Sequence, residues 1–416
     1  MVDLEGRCGG DILKRLQNIK FIDGIEENGI DYDWKKIFAE YKKLNVPETV
    51  FNPSGVPMRD ISFYFGLSTR SVGKTTNWLL IGMIMHELYG TTIVYVRNTY
   101  DEIAPKNTEK LMNVIVSYED ARYIKEITDG RYNHVKYDTR QLFYVLRDDN
   151  GKEIDRAPDP FLQMVAVDHH LEYKSTLNVF RGDFFIFDEF IGGYYRPESF
   201  ESFMDLYSTI GRWRFSNRII MLANTTRYAS QWYREFCIQG YIRNMKIGEK
   251  MLLESPGGTP MYLEIVEPRM KETIRKQKSR FFGFPNPALN AIVGLDNPWT
   301  LPMSPRIKYE EDDRVITKKI RVMAEEELRL SLVWNKEVGL HVNVYPATTK
   351  VRDDEILLTL NSPTSRRDLF ALGYGDLFKR IWDLYKKNMF FYSDNESAVL
   401  LEDYAQRARE AVRKKS

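Results

Sequence analysis

The segment FYFGLSTRSVGKTTNWLL, residues 63–80, constrains the fold more than any other part of the chain. It contains Gly73-Lys74-Thr75, the second half of the phosphate-loop pattern G-x-x-x-x-G-K-[ST], whereas Ser68 stands where the pattern has its first glycine. A β-rich run, DISFYFGL, precedes the loop, and TTNWLLIGMIMHEL after it has the apolar spacing of a buried helix. The segment therefore predicts a strand, a phosphate loop and a helix in succession, which is the setting that such a loop requires.

The chemistry of a phosphate loop explains which positions can vary. Its successive backbone N–H groups and the helix N-terminus form an anion site. Gly73 lets the main chain approach phosphate, Lys74 supplies a charge to the β- and γ-phosphates, and the Thr75 hydroxyl is suited to bind Mg²⁺. The first position only has to turn, which serine tolerates. The predicted nucleotide-binding residues are Ser68, Thr69, Arg70, Ser71, Val72, Gly73, Lys74, Thr75 and Thr76.

A second motif, DFFIFDEF, reads as an apolar strand that ends in two carboxylates. In this Walker B interpretation Asp188 holds Mg²⁺ through water, and Glu189 orients and polarises the attacking water. Taken alone, the motif would be read as a strand end capped by solvated acids, and the predicted phosphate loop 113 residues upstream is what favours the Walker B interpretation. A third apolar run, NRIIMLANTT, ends in Asn224, which is either a sensor of the γ-phosphate or a loop-capping asparagine.

Composition limits the class of protein. The chain has 416 residues, of which 43% are hydrophobic, so two domains are expected. The net charge of +1 provides no overall basic field for nucleic acid, and two cysteines suit a reducing cytosol better than a disulfide framework. The longest apolar run, WLLIGMIM, is shorter than the ~20 residues that span a membrane, and the N-terminal sequence MVDLEGRCGG lacks the apolar core of a signal peptide.

Shifts in composition divide the chain into four predicted parts. Residues 1–45 are a charged helical N-terminal extension, in which DWKKIFAEYKKL is an amphipathic helix. Residues 46–265 alternate β-rich and helical runs, the signature of an α/β domain with a mainly parallel sheet. Residues 266–313 begin as a basic helix, continue with many prolines and are predicted to be a linker. Residues 314–416 form a second, smaller α/β domain.

The motifs also indicate which branch of nucleotide hydrolases is expected. No N-K-x-D guanine-reading motif occurs in the sequence, which disfavours GTPases. A glutamate directly after the Walker B aspartate suits the ATPase branch that has an additional strand and a catalytic glutamate, the ASCE type. The predicted fold of residues 46–265 is therefore an ASCE-type P-loop NTPase domain, with ATP and Mg²⁺ as its ligands.

Five runs together, FGLSTRSVGKT, IVYVRNTYDEIA, FFIFDEF, STIGRWR and IIMLANT, resemble the genome-packaging ATPases of small tailed phages. These are the phi29-type DNA encapsidation proteins, relatives of the large terminases. The resemblance covers roughly residues 60–416, with GLDNP and FYSDNESAVLLEDYAQRARE matching more weakly. It implies an arginine inside the loop at Arg70, an arginine after the next strand at Arg97, a catalytic lysine at Lys174, and at Arg212 an arginine finger that acts on a neighbouring subunit.

The resemblance implies partners as well. Such proteins form a homomeric ring, usually of five subunits, at the portal of a preformed capsid. ATP hydrolysis by the ring drives double-stranded DNA into the capsid. The process takes place in the host cytoplasm, and no membrane is an expected partner. A structural RNA at the portal is a further candidate partner. The second domain would be an RNase H-like nuclease that has lost its chemistry. If RLSLVWNKEVGLHVNV supplies its first strand, no aspartate is present there for metal binding, and the strand centre is Leu332-Val333-Trp334.

Two other functions stay open on the sequence. One is a terminase-like enzyme with an active nuclease, or another ring translocase such as a helicase; the other is a non-catalytic phosphate-binding scaffold. Retention of Lys74, Thr75, Asp188 and Glu189 argues against the scaffold. The candidates for DNA contact, each of which could instead be an ordinary solvated side chain, are Arg97, Lys106, Lys271 and Lys276.

Overall fold

The computed structural model describes residues 29–48, 51–68, 72–108, 121–176, 182–191, 198–211, 214–224, 230–242, 245–267, 307, 313–323, 327–359, 368–370, 376–387 and, with gaps, 389–408. These residues form two compact units, the first built on a ten-stranded sheet and the second on a six-stranded sheet. The domain boundaries predicted at residues 45, 265 and 313 stay predictions. None of the described helices is long and apolar enough to cross a bilayer.

The first unit alternates strands and helices along the chain. Its helices are α1 (Trp34–Lys43), α2 (Lys74–Tyr89), α3 (Arg122–Ile127), α4 (His170–Thr176), α5 (Ser199–Gly211), α6 (Gln231–Glu235) and α7 (Gln239–Ile242). Its strands are β1 (Phe63–Ser68), β2 (Ile93–Arg97), β3 (His134–Asp138), β4 (Gln141–Arg147), β5 (Glu153–Arg156), β6 (Leu162–Ala166), β7 (Phe184–Asp188), β8 (Arg218–Asn224), β9 (Lys250–Glu254) and β10 (Pro260–Ile265).

The central part of this sheet is parallel, as the sequence predicts. The strand order is β3-β4-β6-β2-β7-β8-β1-β10-β9, with β5 paired to β4, and the six strands from β6 to β10 are parallel. Successive side chains pack on opposite faces: Tyr64 lies against Trp78 of α2, and Phe65 lies against Phe236, which follows α6. Because both faces are covered, the central strands are apolar along almost their whole length.

Helix α1 confirms the amphipathic helix predicted near the N-terminus. Asp33 caps it by accepting hydrogen bonds from the backbone N–H groups of the second and third residues that follow. Its apolar side, formed by Trp34, Ile37 and Tyr41, is buried in the same hydrophobic core as α2 and the central strands. The helix is therefore packed into the first unit.

The second unit contains β11 (Arg314–Val322), β12 (Leu328–Asn335), β13 (Gly339–Pro346), β14 (Ile356–Thr359), β15 (Asp368–Phe370), α8 (Asp376–Lys386) and β16 (Phe390–Tyr392). Its strand order is β15-β14-β11-β12-β13-β16. The strands β11, β12 and β13 are successively antiparallel, whereas β14 is parallel to β11, β15 to β14 and β16 to β13.

The prediction that the first strand of this unit lies in RLSLVWNKEVGLHVNV is wrong. The sheet begins earlier, at β11, whose sequence RVITKKIRV is too charged to be recognised as a buried strand. Its Arg321 is completely buried because Glu355 binds the guanidinium through both carboxylate oxygens, at 2.8 and 3.1 Å. The first strand of this unit along the chain is therefore β11. It has Thr317 and Lys319 near its centre and contains no carboxylate.

Candidate nucleotide-binding site

Four parallel strands of the first unit end at the same edge of the sheet. Their last residues are Ser68 of β1, Arg97 of β2, Asp188 of β7 and Asn224 of β8. Ser68 lies directly opposite Asn224 in the strand register. Open α/β sheets bind their ligands beyond this carboxyl edge. The phosphate-loop start, the Walker B acid and the sensor asparagine predicted from separate motifs therefore lie together.

The predicted phosphate loop lies between β1 and α2, and the strand before it and the helix after it are those that the motif predicts. Helix α2 begins at Lys74, and the residue before it, Gly73, has φ +80° and ψ +15°. This left-handed conformation costs glycine little, which explains why glycine stands at this position. Val72 is buried, and its carbonyl accepts a hydrogen bond from the backbone N–H of Phe51.

Lys74 is a buried cation at the centre of the site. Its side chain is 6% exposed, and its ammonium group donates a hydrogen bond to the hydroxyl of Ser68. Burial lowers the pKa of Lys74 to about 8, although the nearby carboxylates of Asp188 and Glu189 act in the opposite direction. Since the serine hydroxyl is neutral, this contact does not cancel the charge of the lysine.

Asp188 connects the end of β7 to the first turn of α2. Its Oδ1 accepts a hydrogen bond of 3.0 Å from the Thr75 hydroxyl, and its Oδ2 accepts one of 2.7 Å from the phenol of Tyr95. Burial, and then the negative charge of Asp188, raise the pKa of Tyr95 well above its ordinary value, so the phenol remains a donor. Tyr95 thus orients the aspartate, a role that no sequence motif indicated.

Glu189 has an unusual backbone conformation. Its φ is +53°, in the left-handed region that non-glycine residues rarely adopt. The side-chain amide of Asn98 donates to the carbonyl of Glu189 over 3.1 Å and stabilises this conformation. One carboxylate oxygen lies 2.9 Å from Arg97, and the other lies 3.5 Å from Nδ2 of Asn224. The side chain is 46% exposed, so water has access to it.

Arg97 lies among carboxylates. Its guanidinium is 2.9 Å from Glu189, 3.5 Å from Glu102 and 3.6 Å from Asp188, and its side chain is 15% exposed. Burial lowers the pKa of Arg97, but Tyr95 and the three carboxylates outweigh this effect and raise it. The pairing of β2 with β7 places Arg97 beside Asp188 and Glu189. Its contact with DNA stays a prediction.

Several other predicted residues cannot be placed in the site. Thr76 lies in the first turn of α2, and Lys106 is exposed. Lys174 belongs to α4, but its side chain lies outside the described part of the chain. The predicted residues that lie wholly outside the described ranges are Thr69, Arg70, Ser71, Arg212, Lys271 and Lys276.

The chain is similar to solved structures of phage packaging proteins. It aligns with a chain of the bacteriophage Phi-29 viral genome packaging motor assembly at a TM-score of 0.50 and 14% identity, over 87% of this chain and 100% of that chain. The chain shares the fold of that packaging-motor chain. The resemblance predicted from the motifs is thus confirmed at the level of the fold.

Further likenesses to the packaging-motor fold are weaker. The Phi-28 gp11 DNA packaging motor aligns at a TM-score of 0.46 and 16% identity, over 86% of this chain and 98% of that chain. A large terminase from a thermophilic bacteriophage aligns at 0.37 and 10% identity, over 91% of this chain and 92% of that chain. No family model and no curated protein matches the sequence.

The side chains at this edge of the packaging-motor fold suit a magnesium–nucleotide complex. The Thr75 hydroxyl and the Asp188 carboxylate, 3.0 Å apart, are the hard oxygen ligands that Mg²⁺ prefers. Lys74 is buried beside them with its charge uncancelled by its hydroxyl partner. Gly73 stands at the N-terminus of α2, a 16-residue helix whose dipole favours an anion there.

Proposed function

We propose that this protein is an ATP-hydrolysing motor that moves double-stranded viral DNA into a preformed capsid through its portal. The observation that carries the proposal is the convergence of Lys74, Thr75, Asp188 and Glu189 at the carboxyl edge of one parallel sheet. These four residues are the minimum set for binding and hydrolysing a nucleoside triphosphate. The packaging-motor fold then favours DNA translocation as the work that hydrolysis drives.

The strand order supports the ASCE assignment within the P-loop fold. Strand β8 lies between β1, which leads into the phosphate loop, and β7, which carries the Walker B acids. This is the additional strand that the ASCE type requires. Its last residue, Asn224, lies 3.5 Å from Glu189 and is therefore suited to sense the γ-phosphate next to the attacking water.

Each of the four residues has a distinct role in the proposed reaction. Lys74 holds the β- and γ-phosphates with its ammonium group, and Thr75 and Asp188 hold the metal, Asp188 through water. Bound Mg²⁺ neutralises charge that develops on the phosphate oxygens. Glu189 accepts a hydrogen bond from the attacking water and orients it toward the γ-phosphate. The Glu189 oxygen that faces Asn224 is the one not bonded to Arg97, so it is available for this water.

We propose further that the second unit is a vestigial RNase H-like domain. Its mixed sheet, with three antiparallel strands followed by two parallel ones, supports this assignment. The first strand, RVITKKIRV, offers no carboxylate for a catalytic metal. The buried Glu355 is bound through both oxygens by Arg321 and is therefore a structural partner of that arginine. The terminase-like alternative with an active nuclease is accordingly disfavoured.

The proposed assembly follows from the same fold. A homomeric ring, with five subunits as the expected number, would sit at the portal of the viral procapsid in the host cytoplasm and act on double-stranded DNA. The alignment over the full length of a chain of the packaging motor assembly supports this expectation. A structural RNA is a further candidate partner at the portal.

An ATPase assay with and without double-stranded DNA and portal-bearing capsids tests the proposal. The wild-type protein should hydrolyse ATP faster when both are present. Lys74→Ala should lose nucleotide binding, and Glu189→Gln should bind ATP but hydrolyse it at least about 100-fold more slowly, because only water activation is lost. Glu201→Gln, at an exposed glutamate in the first turn of α5, is the matched control and should retain activity. A normal rate for Glu189→Gln would refute the Walker B assignment.

A further inference from the structure

Tyr41 of helix α1 reaches the helix that follows the phosphate loop. Its hydroxyl donates a hydrogen bond of 2.6 Å to Oδ1 of Asn77, which lies one turn into α2. Both side chains are buried, Tyr41 at 3% and Asn77 at 1% exposure. A hydrogen bond between two buried groups has little competition from water, and losing either partner leaves the other unsatisfied. This contact therefore fixes the orientation of the Asn77 amide.

Asn77 in turn holds the backbone of the phosphate loop. With Oδ1 directed to Tyr41, its Nδ2 donates to the carbonyl of Gly73 over 2.7 Å. The same carbonyl accepts the ordinary helical bond from the Asn77 backbone N–H at 3.1 Å. Two donors therefore hold the peptide bond between Gly73 and Lys74. Since the N–H of a trans peptide points opposite to its carbonyl, the Lys74 N–H is directed away from Asn77.

A second contact acts on the preceding peptide bond. The backbone N–H of Phe51 donates to the carbonyl of Val72 over 2.8 Å. The Phe51 ring lies 6.2 Å from Tyr64 of β1 and 6.1 Å from Trp78 of α2, measured between ring centroids. Phe51 thus holds the Val72 carbonyl, and Asn77 holds the Gly73 carbonyl. The N–H groups of Gly73 and Lys74 point away from these two carbonyls, and within the described part of the chain they are directed to where an anion would bind.

We propose that Tyr41 is a positioning residue for nucleotide binding, acting through Asn77 on the Gly73–Lys74 peptide. This inference rests on the proposed function, because it assumes that the loop receives a nucleotide phosphate. Tyr41 sets the affinity of the loop for phosphate and takes no part in the hydrolysis step. Neither residue belongs to the loop motif, and Tyr41 lies in the segment that the sequence assigns to an N-terminal extension.

Tyr41→Phe tests the inference, because it removes only the hydroxyl and retains the packing of the ring. The matched control is Tyr32→Phe. Tyr32 belongs to the same N-terminal segment, is 4% exposed and makes hydrogen bonds of 2.6 Å to Thr91 and 3.0 Å to Asp183. Thr91 follows the C-terminal end of α2, so the control loses a comparable buried hydroxyl at the end of the helix away from the phosphate loop.

The first measurement is the affinity for ADP with Mg²⁺, together with KM and kcat for ATP. Tyr41→Phe should weaken ADP binding by about three- to tenfold and raise KM by a similar factor with kcat unchanged, as expected for loss of one buried hydrogen bond. Tyr32→Phe should leave both constants within about twofold. In an Asn77→Ala background, adding Tyr41→Phe should have no further effect. Equal ADP affinities for Tyr41→Phe and Tyr32→Phe would overturn the inference.

Amide hydrogen exchange in the nucleotide-free protein separates this inference from the proposed function. Tyr41→Phe should accelerate exchange of the Asn77 amide, whose N–H donates to the Gly73 carbonyl, whereas Tyr32→Phe should not. If the wild-type protein binds no nucleotide, the proposed function fails and the positioning role fails with it. If it binds ADP but exchange of the Asn77 amide is the same in both variants, only the positioning role is wrong.

Discussion

At the scale of single residues, the site is defined by a buried lysine and the groups that hold it. The ammonium of Lys74 contacts Ser68, the residue that replaces the first glycine of the loop pattern. This hydroxyl is a polar partner for the ammonium group of Lys74, a residue that is only 6% exposed. Serine at this position therefore has a local physical role, because its hydroxyl is a hydrogen-bond partner for the buried ammonium group.

The first prediction concerns the pH dependence of stability. Burial lowers the pKa of Lys74 from its ordinary value of 10.5 to about 8, so between these values the unfolded chain binds more protons than the folded protein. The contribution of this group to the free energy of unfolding therefore rises with pH across that window and is least favourable below pH 8. Urea titrations of wild type and Lys74→Met from pH 7 to pH 10 should show this difference, and parallel curves would contradict it.

The same lowered pKa should make nucleotide binding weaker as pH rises, whereas it makes the contribution of Lys74 to stability more favourable. Phosphate requires the charged lysine, so the Kd for ATP should rise as pH exceeds about 8, with uptake of a proton on binding. Lys74→Arg stays charged throughout and should show no such loss of affinity. Calorimetry in buffers of different ionisation enthalpy measures the proton uptake directly.

A second prediction concerns Ser68. To reach a phosphate, Lys74 must leave its hydroxyl partner, so Ser68→Ala should lower the Kd for ATP by about two- to fivefold. Ser216→Ala is the matched control, because it removes a buried hydroxyl bonded to Asp183 below the amino end of β7. Weaker ATP binding by Ser68→Ala would show that the hydroxyl contacts the nucleotide itself.

At the scale of elements, α1 and β11 differ most from what their local sequences suggest. Helix α1 reads as a generic amphipathic helix, yet its apolar side is part of the main core, and its Tyr41 contacts Asn77 near the phosphate loop. Strand β11, RVITKKIRV, is rich in charged residues, yet it lies in the middle of the second sheet. In both cases the partner that explains the element is distant in sequence.

The third prediction tests the place of α1 in the core. Trp34 is 7% exposed and lies 6.4 Å from the ring of Phe184 in β7. Trp34→Ala should lower the free energy of unfolding of the first unit by about 3–5 kcal/mol, through lost burial and the cavity that remains. Lys35→Ala, at the exposed next position, should have an effect within about 0.5 kcal/mol. A loss below about 1 kcal/mol for Trp34→Ala would mean that α1 folds separately from the core.

At the scale of the whole molecule, the direction of β8 bears on how subunits would cooperate. Gly211 and Arg214, which flank the proposed finger position, lie before the amino end of β8, whereas the phosphate loop lies at the carboxyl edge. About six residues of strand, roughly 20 Å, separate the two edges. Nε of Arg214 donates a hydrogen bond of 2.5 Å to the carboxylate of the buried Asp183, so this arginine has a structural role. An arginine finger from this loop would therefore serve a neighbouring subunit.

The fourth prediction is that Arg212 acts across a subunit interface. Arg212→Ala should bind ATP but hydrolyse it about 10³-fold more slowly, because a finger stabilises charge on the transferred phosphoryl group. Mixed with Lys74→Ala, it should regain part of the DNA-stimulated activity, since an intact loop then meets an intact arginine. Arg59→Ala, at an exposed arginine, should stay active alone. Absence of recovery at every ratio of co-assembled mutants would contradict action in trans.

The fifth prediction is that the protein does not cleave DNA. With Mg²⁺ or Mn²⁺ and supercoiled plasmid, no nicked product should form, because β11 has no carboxylate and Arg321 occupies both oxygens of Glu355. Metal-dependent nicking that persists in Lys74→Ala but is lost on substituting carboxylates of residues 314–416 would restore the terminase-like alternative.

The sequence by itself determined the pattern of a phosphate loop before α2, the pair of acids at the end of β7 and the parallel α/β character of the central strands. These follow from short-range patterns: residue types that bind phosphate at fixed spacing, and apolar periods that set helix or strand. Only the tertiary structure decided that Arg97 and Tyr95 lie beside Asp188, that β8 separates β1 from β7, and that Tyr41 contacts Asn77. Which strands become neighbours depends on burial and pairing between segments that are far apart in the chain. A short run of residues does not contain the information that specifies such long-range contacts.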